Sequence, residues 1–250
     1  MKRITWLVGA ALILSGAGVA AGKVDSGKAI AAALADPARP ADDTARDAAR
    51  HPAETIAFAR VKPGDRVVDF IMGGGYFTRI LAKTVGPKGR VYGFMPDEFI
   101  KFKPAYGTDQ KAVAAAYANI VAINGSLGAP ALPDKVDVAI TVQNYHDMHL
   151  GLFPADTAAR ANAALFKALK HGGTLLVVDH VAETGSGLAA PTKLHRIDPA
   201  IIKEELATTG FRYDGELTIL RNPADDHSKG VFDPAIRGHT DQVIYRFVKP

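Results

Sequence analysis

The chain has 250 residues, a formal net charge of +4, a 48% apolar fraction and no cysteine. That length allows one large α/β domain or two small ones, and the apolar fraction supports a substantial core. Absent cysteines exclude disulfides and thiol lipidation, and the basic residues form no run, so the chain lacks a nucleic-acid footprint.

Lys2 and Arg3 precede an apolar run from Ile4 to Val19, followed by small residues through Gly22. This is the pattern of a secretory signal peptide over residues 1–21, cut after Ala20 or Ala21. An uncleaved membrane anchor is the other reading of the same run. The leader implies a periplasmic or secreted protein, soluble and without stable membrane association after cleavage. Residues 22–40 are rich in Ala, Gly and Pro and read as a flexible linker. The remaining residues, 41–250, read as one domain.

A helical stretch spans about Asp42 to Ala59. Strand and helix then alternate. The first strand is Arg66–Ile71, followed by three glycines and a helix over Tyr76–Val85. The second strand is Arg90–Met95. A less regular stretch leads to a helix over Lys111–Asn119 and a short third strand, Ile120–Ile123. The fourth strand is Val136–Val142, followed by a helix over Asp156–Leu169. The fifth strand is Thr174–Val178, and a helix covers Pro199–Thr208. Two closing strands, Phe211–Leu220 and Gln242–Val248, flank a twenty-residue loop, Arg221–Thr240. Alternation of this kind makes a doubly wound, mostly parallel sheet with right-handed crossovers. The closing pair, with no helix between them, suits an antiparallel edge strand. In such sheets a ligand sits outside the carboxyl ends of the strands, where strand order reverses.

Three groups of residues fall at those ends. The first is Asp69 with Gly73, Gly74 and Gly75, where glycines let backbone approach a ligand ahead of a helix N-terminus. The second is Gln143-Asn144-Tyr145-His146-Asp147-Met148-His149, directly after the fourth strand. His146 is a candidate general base because an unperturbed imidazole titrates near neutrality. Tyr145 can orient a substrate, and Asp147 can fix the imidazole tautomer or bind a cation. The third is Asp179-His180 with His195-Arg196. Each residue also has a plain reading as a cap or a core hydrogen-bonding group. The long loop can cover the substrate side or simply connect strands.

Gly64–Leu81 resembles motif I of the class I S-adenosylmethionine-dependent methyltransferases. Asp69 takes the acid position, Gly73 and Gly75 take the second and third glycine positions, and Ile71 stands where the first glycine belongs. The segments 89–95, 136–147 and 172–180 resemble the later motifs. Arg46–Pro52, Asn144–Asp147 and His195–Asp198 are similar to an exported bacterial branch of predicted methyltransferases. The resemblance implies a seven-stranded Rossmann-like fold and S-adenosylmethionine as cofactor. The cofactor would lie at Asp69, Gly73, Gly74, Gly75, Met95 and Asn144. It also implies methyl transfer to an O or N nucleophile of a small molecule, served by Tyr145, His146 and Asp147.

Two departures carry expectations. Ile71 is β-branched and poorly suited to positive φ, so the turn is expected to be rebuilt around Met72–Gly75 or the strand to run on. Met95 stands where an acid usually holds the ribose hydroxyls, with Asp97 and Glu98 just beyond. In the catechol-type subgroup, positions near Asp147, Asp179 and His180 hold magnesium. A grouping of His146, His149, His180 and His195 would suit a softer metal. No metal is assigned from the sequence. The alternative to an enzyme is a non-catalytic or repurposed small-molecule or metal-binding protein on the same scaffold.

Overall fold

Strand residues of alternating parity bury on opposite faces of one sheet, and helices cover both faces. The computed structural model describes residues 25–250, so the leader assigned to 1–21 lies outside the described residues. The sheet has seven strands: β1 (Arg66–Phe70), β2 (Arg90–Pro96), β3 (Ile120–Gly125), β4 (Val136–Val142), β5 (Leu169–His180), β6 (Arg212–Glu216) and β7 (Gln242–Val248). Their order is β3-β2-β1-β4-β5-β7-β6. β7 runs antiparallel to both neighbours, and the remaining pairs are parallel. The expected mostly parallel sheet with an antiparallel closing pair is what forms.

Val67, Val91, Val138, Ile140 and Leu176 face one layer, with helices α1 (Ser26–Leu34), α4 (Pro52–Phe58) and α5 (Tyr76–Val85). Val68, Phe70, Ala139, Leu175 and Val177 face the other, with α8 (Thr157–Ala168) and α10 (Pro199–Thr209). Adjacent residues thus serve opposite cores, as the two-residue period of a strand requires. Strands buried on both faces read as continuous apolar runs, so the central strands were visible in the sequence. Among the described residues, no helix is long and apolar enough to cross a membrane.

The N-terminal expectations need two corrections. Residues 26–34 of the supposed linker form α1. Its alanines are the best helix formers, Asp25 caps it by accepting from Gly27 N at 2.9 Å, and Ile30 and Ala33 bury one turn apart. The single helix expected over 42–59 is instead three short ones: α2 (Ala41–Thr44), α3 (Asp47–Arg50) and α4. The break before α4 has a clear cause. Pro52 disfavours a helical residue before it, and His51 takes a left-handed φ of 44°. The irregular stretch 97–110 contains α6 (Asp97–Phe102) and the start of α7 (Ala105–Ala116), broken at Pro104 for the same reason.

Arg39 fixes this N-terminal layer. Its buried guanidinium reaches Asp47 Oδ2 at 2.8 Å and Oδ1 at 2.6 Å, and Leu34 O at 2.9 Å. Arg39→Met should therefore cost about 2 kcal/mol, the scale of hydrogen bonds to a charged group. For a chain of this size that is roughly a 4–8 °C fall in Tm. Calorimetry checks it; an unchanged Tm would mean residues 25–40 do not dock.

Candidate functional site

Strand order reverses between β1 and β4, so a crevice opens beyond their carboxyl ends. β1 stops at Phe70 and the chain turns at Ile71, which takes φ +65°. The expectation that isoleucine would refuse this conformation is wrong. Left-handed backbone costs a β-branched residue on the order of 1–3 kcal/mol. Two things offset it. The Ile71 side chain is buried in the core, and Asn144 Nδ2 donates to Ile71 O at 3.0 Å. Met72 N donates to Phe94 O at 3.0 Å and locks the next peptide. Gly75 N returns to Met72 O at 2.9 Å, and Gly75 leads into α5 with φ +83°. A Cβ on Gly75 would stand 2.7 Å from Val113 Cγ2, so only glycine fits. The amides of Gly73 and Gly74 have no acceptor among the described residues.

Asp69 lies beneath this loop, 4% exposed, accepting from Thr78 Oγ1 at 2.6 Å. Burial pushes its carboxyl up to about 6, although Thr78 and the Arg50 charge pull the other way. Arg50 closes the crevice from α3. Its guanidinium stacks 4.5 Å from the Tyr76 ring centre and donates to Gln143 Oε1 at 3.2 Å. Burial, and then the neighbouring Arg46 charge, hold the Arg50 pKa below its ordinary value. Arg46 stacks on the same ring at 5.0 Å. Arg46, Arg50, Asp69, Gly73, Gly74 and Asn144 are among the residues lining a cleft of about 220 Å³. The two arginines received no role from the sequence. Their i, i+4 spacing in Arg46-Asp47-Ala48-Ala49-Arg50 was the available signal, since it puts both on one helical face.

Two assigned residues do not reach the crevice. Met95 is fully buried in the core beside α5. β2 runs one residue beyond its expected end, so Met95 stays in the pleat, paired with Asn124, and its side chain lies in the core rather than in the crevice. Of the substitutes, Glu98 accepts from Ser126 Oγ at 2.8 Å and Leu127 N at 3.1 Å, while Asp97 is exposed. Tyr145 is also fully buried. Its hydroxyl donates to Glu205 Oε2 and accepts from Asn162 Nδ2, both at 2.8 Å, so it holds the core rather than a substrate.

His146 and Asp147 do sit together, in a short 3-10 turn, His146–His149. Asp179, fully buried at the end of β5, accepts from His146 N, His146 Nδ1 and His180 N, each at 2.7 Å. His146 Nε2 then points to Asp147 Oδ1 at 3.3 Å. His195, with φ 53° at the end of α9 (Ala189–Leu194), brings Nδ1 to 3.8 Å from the same oxygen. Burial disfavours a charged His146, but Asp179 and Asp147 outweigh it and push the ring up to about 10. The ring expected from the sequence as a base is thus held between two carboxylates that favour its charged form. Asp147 is half-buried, and although desolvation works the other way its two histidines hold its carboxyl below the usual range.

The other histidines go elsewhere. His149 faces Glu205 Oε2 at 3.2 Å, and His180 Nδ1 pairs with Thr240 Oγ1 at 2.7 Å. Burial drives the His180 ring down to about 4, against the attraction of Asp179. The long loop is anchored by Arg196, fully buried, whose guanidinium reaches Asp225 at 2.9 Å and Lys229 O at 2.8 Å. Phe232 of that loop touches the His195 ring, with centres 5.0 Å apart.

The raised Asp69 carboxyl sets a pH test. Its folded pKa lies above its ordinary 3.8, so the group favours the fold below pH 4 and loses that contribution as pH rises through 6. The displacement is worth roughly 3 kcal/mol. Asp69→Asn should then stabilise the fold by about that amount at pH 8 and by nearly nothing at pH 4. Urea unfolding at pH 4, 6 and 8 measures it; a difference independent of pH contradicts the assignment.

No protein-family model matches the chain. It is 28% identical over 185 residues to the ubiquinone/menaquinone biosynthesis C-methyltransferase UbiE of Teredinibacter turnerae, spanning 72% of this chain and 70% of that protein. A SAM-dependent methyltransferase from Aquifex aeolicus superposes with a TM-score of 0.54 at 18% identity, covering 79% of this chain and 89% of that one. Fibrillarin from Aeropyrum pernix, solved with natively bound S-adenosyl-L-methionine, gives a TM-score of 0.51 at 17% identity over 78% of this chain and 73% of its own. The chain therefore has the fold of the class I S-adenosylmethionine-dependent methyltransferases.

Proposed function

We propose that this protein is an exported methyltransferase that uses S-adenosylmethionine and acts on an O or N nucleophile of a small molecule. The observation that carries this reading is the charge pattern of the crevice. Asp69 and Arg50 place opposite charges beside the glycine amides, at the switch point of the sheet. A carboxylate and a guanidinium in one small cleft complement the ammonium and carboxylate of an α-amino acid, which S-adenosylmethionine carries. The UbiE relative and the superposed methyltransferases support the same cofactor. Export rests on the Lys2-Arg3 leader and its apolar run.

When bound, S-adenosylmethionine would supply an electrophilic methyl group. Asn144 holds the Ile71 turn, which sets the floor of the crevice. On this reading the acceptor lies at the loop after β4, where Asp147, half-buried, can accept a hydrogen bond from an O–H or N–H and His146, held between Asp179 and Asp147, positions that carboxylate. Fixing the nucleophile in line contributes most of the rate in such a displacement. Drug-sized ligands occupy sites of about 300–1,000 Å³. The 220 Å³ cleft is smaller than that, so on this reading cofactor binding requires it to open.

Calorimetric titration of the mature protein with S-adenosylmethionine tests the reading. Binding is expected, and Arg50→Ala should weaken it by about 10–150-fold, the loss of one hydrogen bond to a charged group. No binding by the parent would leave the repurposed scaffold as the explanation. Edman sequencing of exported material should begin near Ala21 or Gly22. An intact Met1 in the membrane fraction would refute export by cleavage.

A further inference from the structure

We propose that His146, Asp147 and His195 bind one divalent transition-metal ion of the zinc class, with an open coordination position facing the long loop. The proposal rests on donor geometry and does not require that the chain transfer methyl groups.

His146 Nε2, Asp147 Oδ1 and His195 Nδ1 converge, with candidate ligand atoms of the three residues all within 4.8 Å of one another. Two spacings are 3.3 Å and 3.8 Å. Donors about 2.0–2.1 Å from a tetrahedral zinc ion stand roughly 3.3 Å apart. Of the three edges, one already has that length, the 3.8 Å edge needs a small closing movement, and the edge between the two imidazoles lies within 4.8 Å and closes with it. The alternative explanation is a hydrogen-bonded cluster, and the distances argue against it. Charge-assisted N–H···O bonds run about 2.7–2.9 Å. The same His146 ring achieves 2.7 Å with Asp179 on its other side. Its Nε2 side is looser, as a gap for an ion would make it.

Asp179 supplies a second, independent feature. Metal-bound histidines commonly donate their remaining N–H to a carboxylate, which fixes the tautomer and aims the lone pair. Asp179 does this for His146 Nδ1 and is itself pinned by the amides of His146 and His180. The ring is thereby held with Nε2 toward Asp147. His195 is presented by left-handed backbone (φ 53°), a strained conformation for a residue with a side chain. Its side chain is 33% exposed and that of Asp147 13%, so solvent or a ligand can reach the fourth position.

The donor set selects the metal. Two imidazole nitrogens and one carboxylate oxygen suit zinc and its first-row neighbours, whereas magnesium and calcium prefer all-oxygen sites. The site shares only Asp147 with the Asp147, Asp179 and His180 positions near which the catechol-type subgroup binds magnesium. Here Asp179 faces three N–H donors, and His180 Nδ1 is engaged with Thr240.

The test uses mature protein stripped with chelator and dialysed, then titrated with zinc chloride. One equivalent should bind, and cobalt(II) should bind at the same stoichiometry with visible absorption bands. Excess magnesium chloride should not compete, because magnesium prefers all-oxygen sites. His195→Asn is the primary variant, because asparagine tolerates left-handed backbone and keeps the fold while removing the nitrogen ligand. It should weaken zinc binding at least 100-fold. Asp179→Asn should weaken it about 10–100-fold through misorientation of His146. His149→Ala, whose ring faces Glu205 and Tyr145 rather than the site, should leave zinc affinity unchanged. Absence of zinc binding by the parent overturns the proposal, as does a His195→Asn protein that folds and binds zinc like the parent.

Discussion

The hydrogen bond from Asn144 Nδ2 to Ile71 O joins the carboxyl ends of β1 and β4, and the crevice depends on it. A glycine at position 71 would take positive φ without help. Isoleucine takes it only because its side chain is buried and its carbonyl is held. The same Asn144 amide donates to Val142 O at 2.7 Å, so one side chain spans the switch point. From this pinned turn follow the Met72 peptide locked on Phe94, the return of Gly75 to Met72, and the start of α5 over Asp69. The chain has replaced local backbone freedom with a tertiary contact. The crevice floor is consequently coupled to the loop that carries His146 and Asp147.

The central strands, the Asp69 and Gly73–Gly75 loop and the β7 strand were legible because local chemistry determines them. Continuous apolar runs mark strands buried on both faces, and adjacent glycines after a strand mark a turn that admits positive φ. What escaped was set by tertiary context. Whether Met95 points to crevice or core depends on where the β2 pleat ends, one residue beyond the expected limit. The position of Tyr145 depends on Asn162 and Glu205, which lie on helices α8 and α10. The Ala-rich linker became α1 because Ile30 and Ala33 find α5 to pack on, a partner the local sequence does not reveal. His195 joined Asp147 across 48 residues of chain through its left-handed cap.

The N-terminal layer does more than cover a hydrophobic face. Arg39 ties α1 to Asp47, Tyr76 Oη donates to the same carboxylate at 2.6 Å, and Arg50 lies over the Tyr76 ring. The helices before the first strand and the helix after it therefore share one charged network. That network ends in the crevice, because Arg50 also meets Gln143 at the end of β4. A ligand carboxylate competing for Arg50 would act on the packing of the whole N-terminal layer.

The two buried aspartates at the strand ends work under opposite conditions. Asp179 meets three N–H donors at 2.7 Å, so its charge is satisfied by the protein itself and it serves as a fixed anchor for the His146 ring. Asp69 has the Thr78 hydroxyl and the more remote charge of Arg50, and burial raises its carboxyl toward neutrality. A carboxylate left short of partners costs the fold stability, and a ligand cation placed beside it recovers that cost as binding energy. The penultimate residue of β5 thus builds the site, and the penultimate residue of β1 carries a charge only partly met by the protein, which is an argument for a ligand.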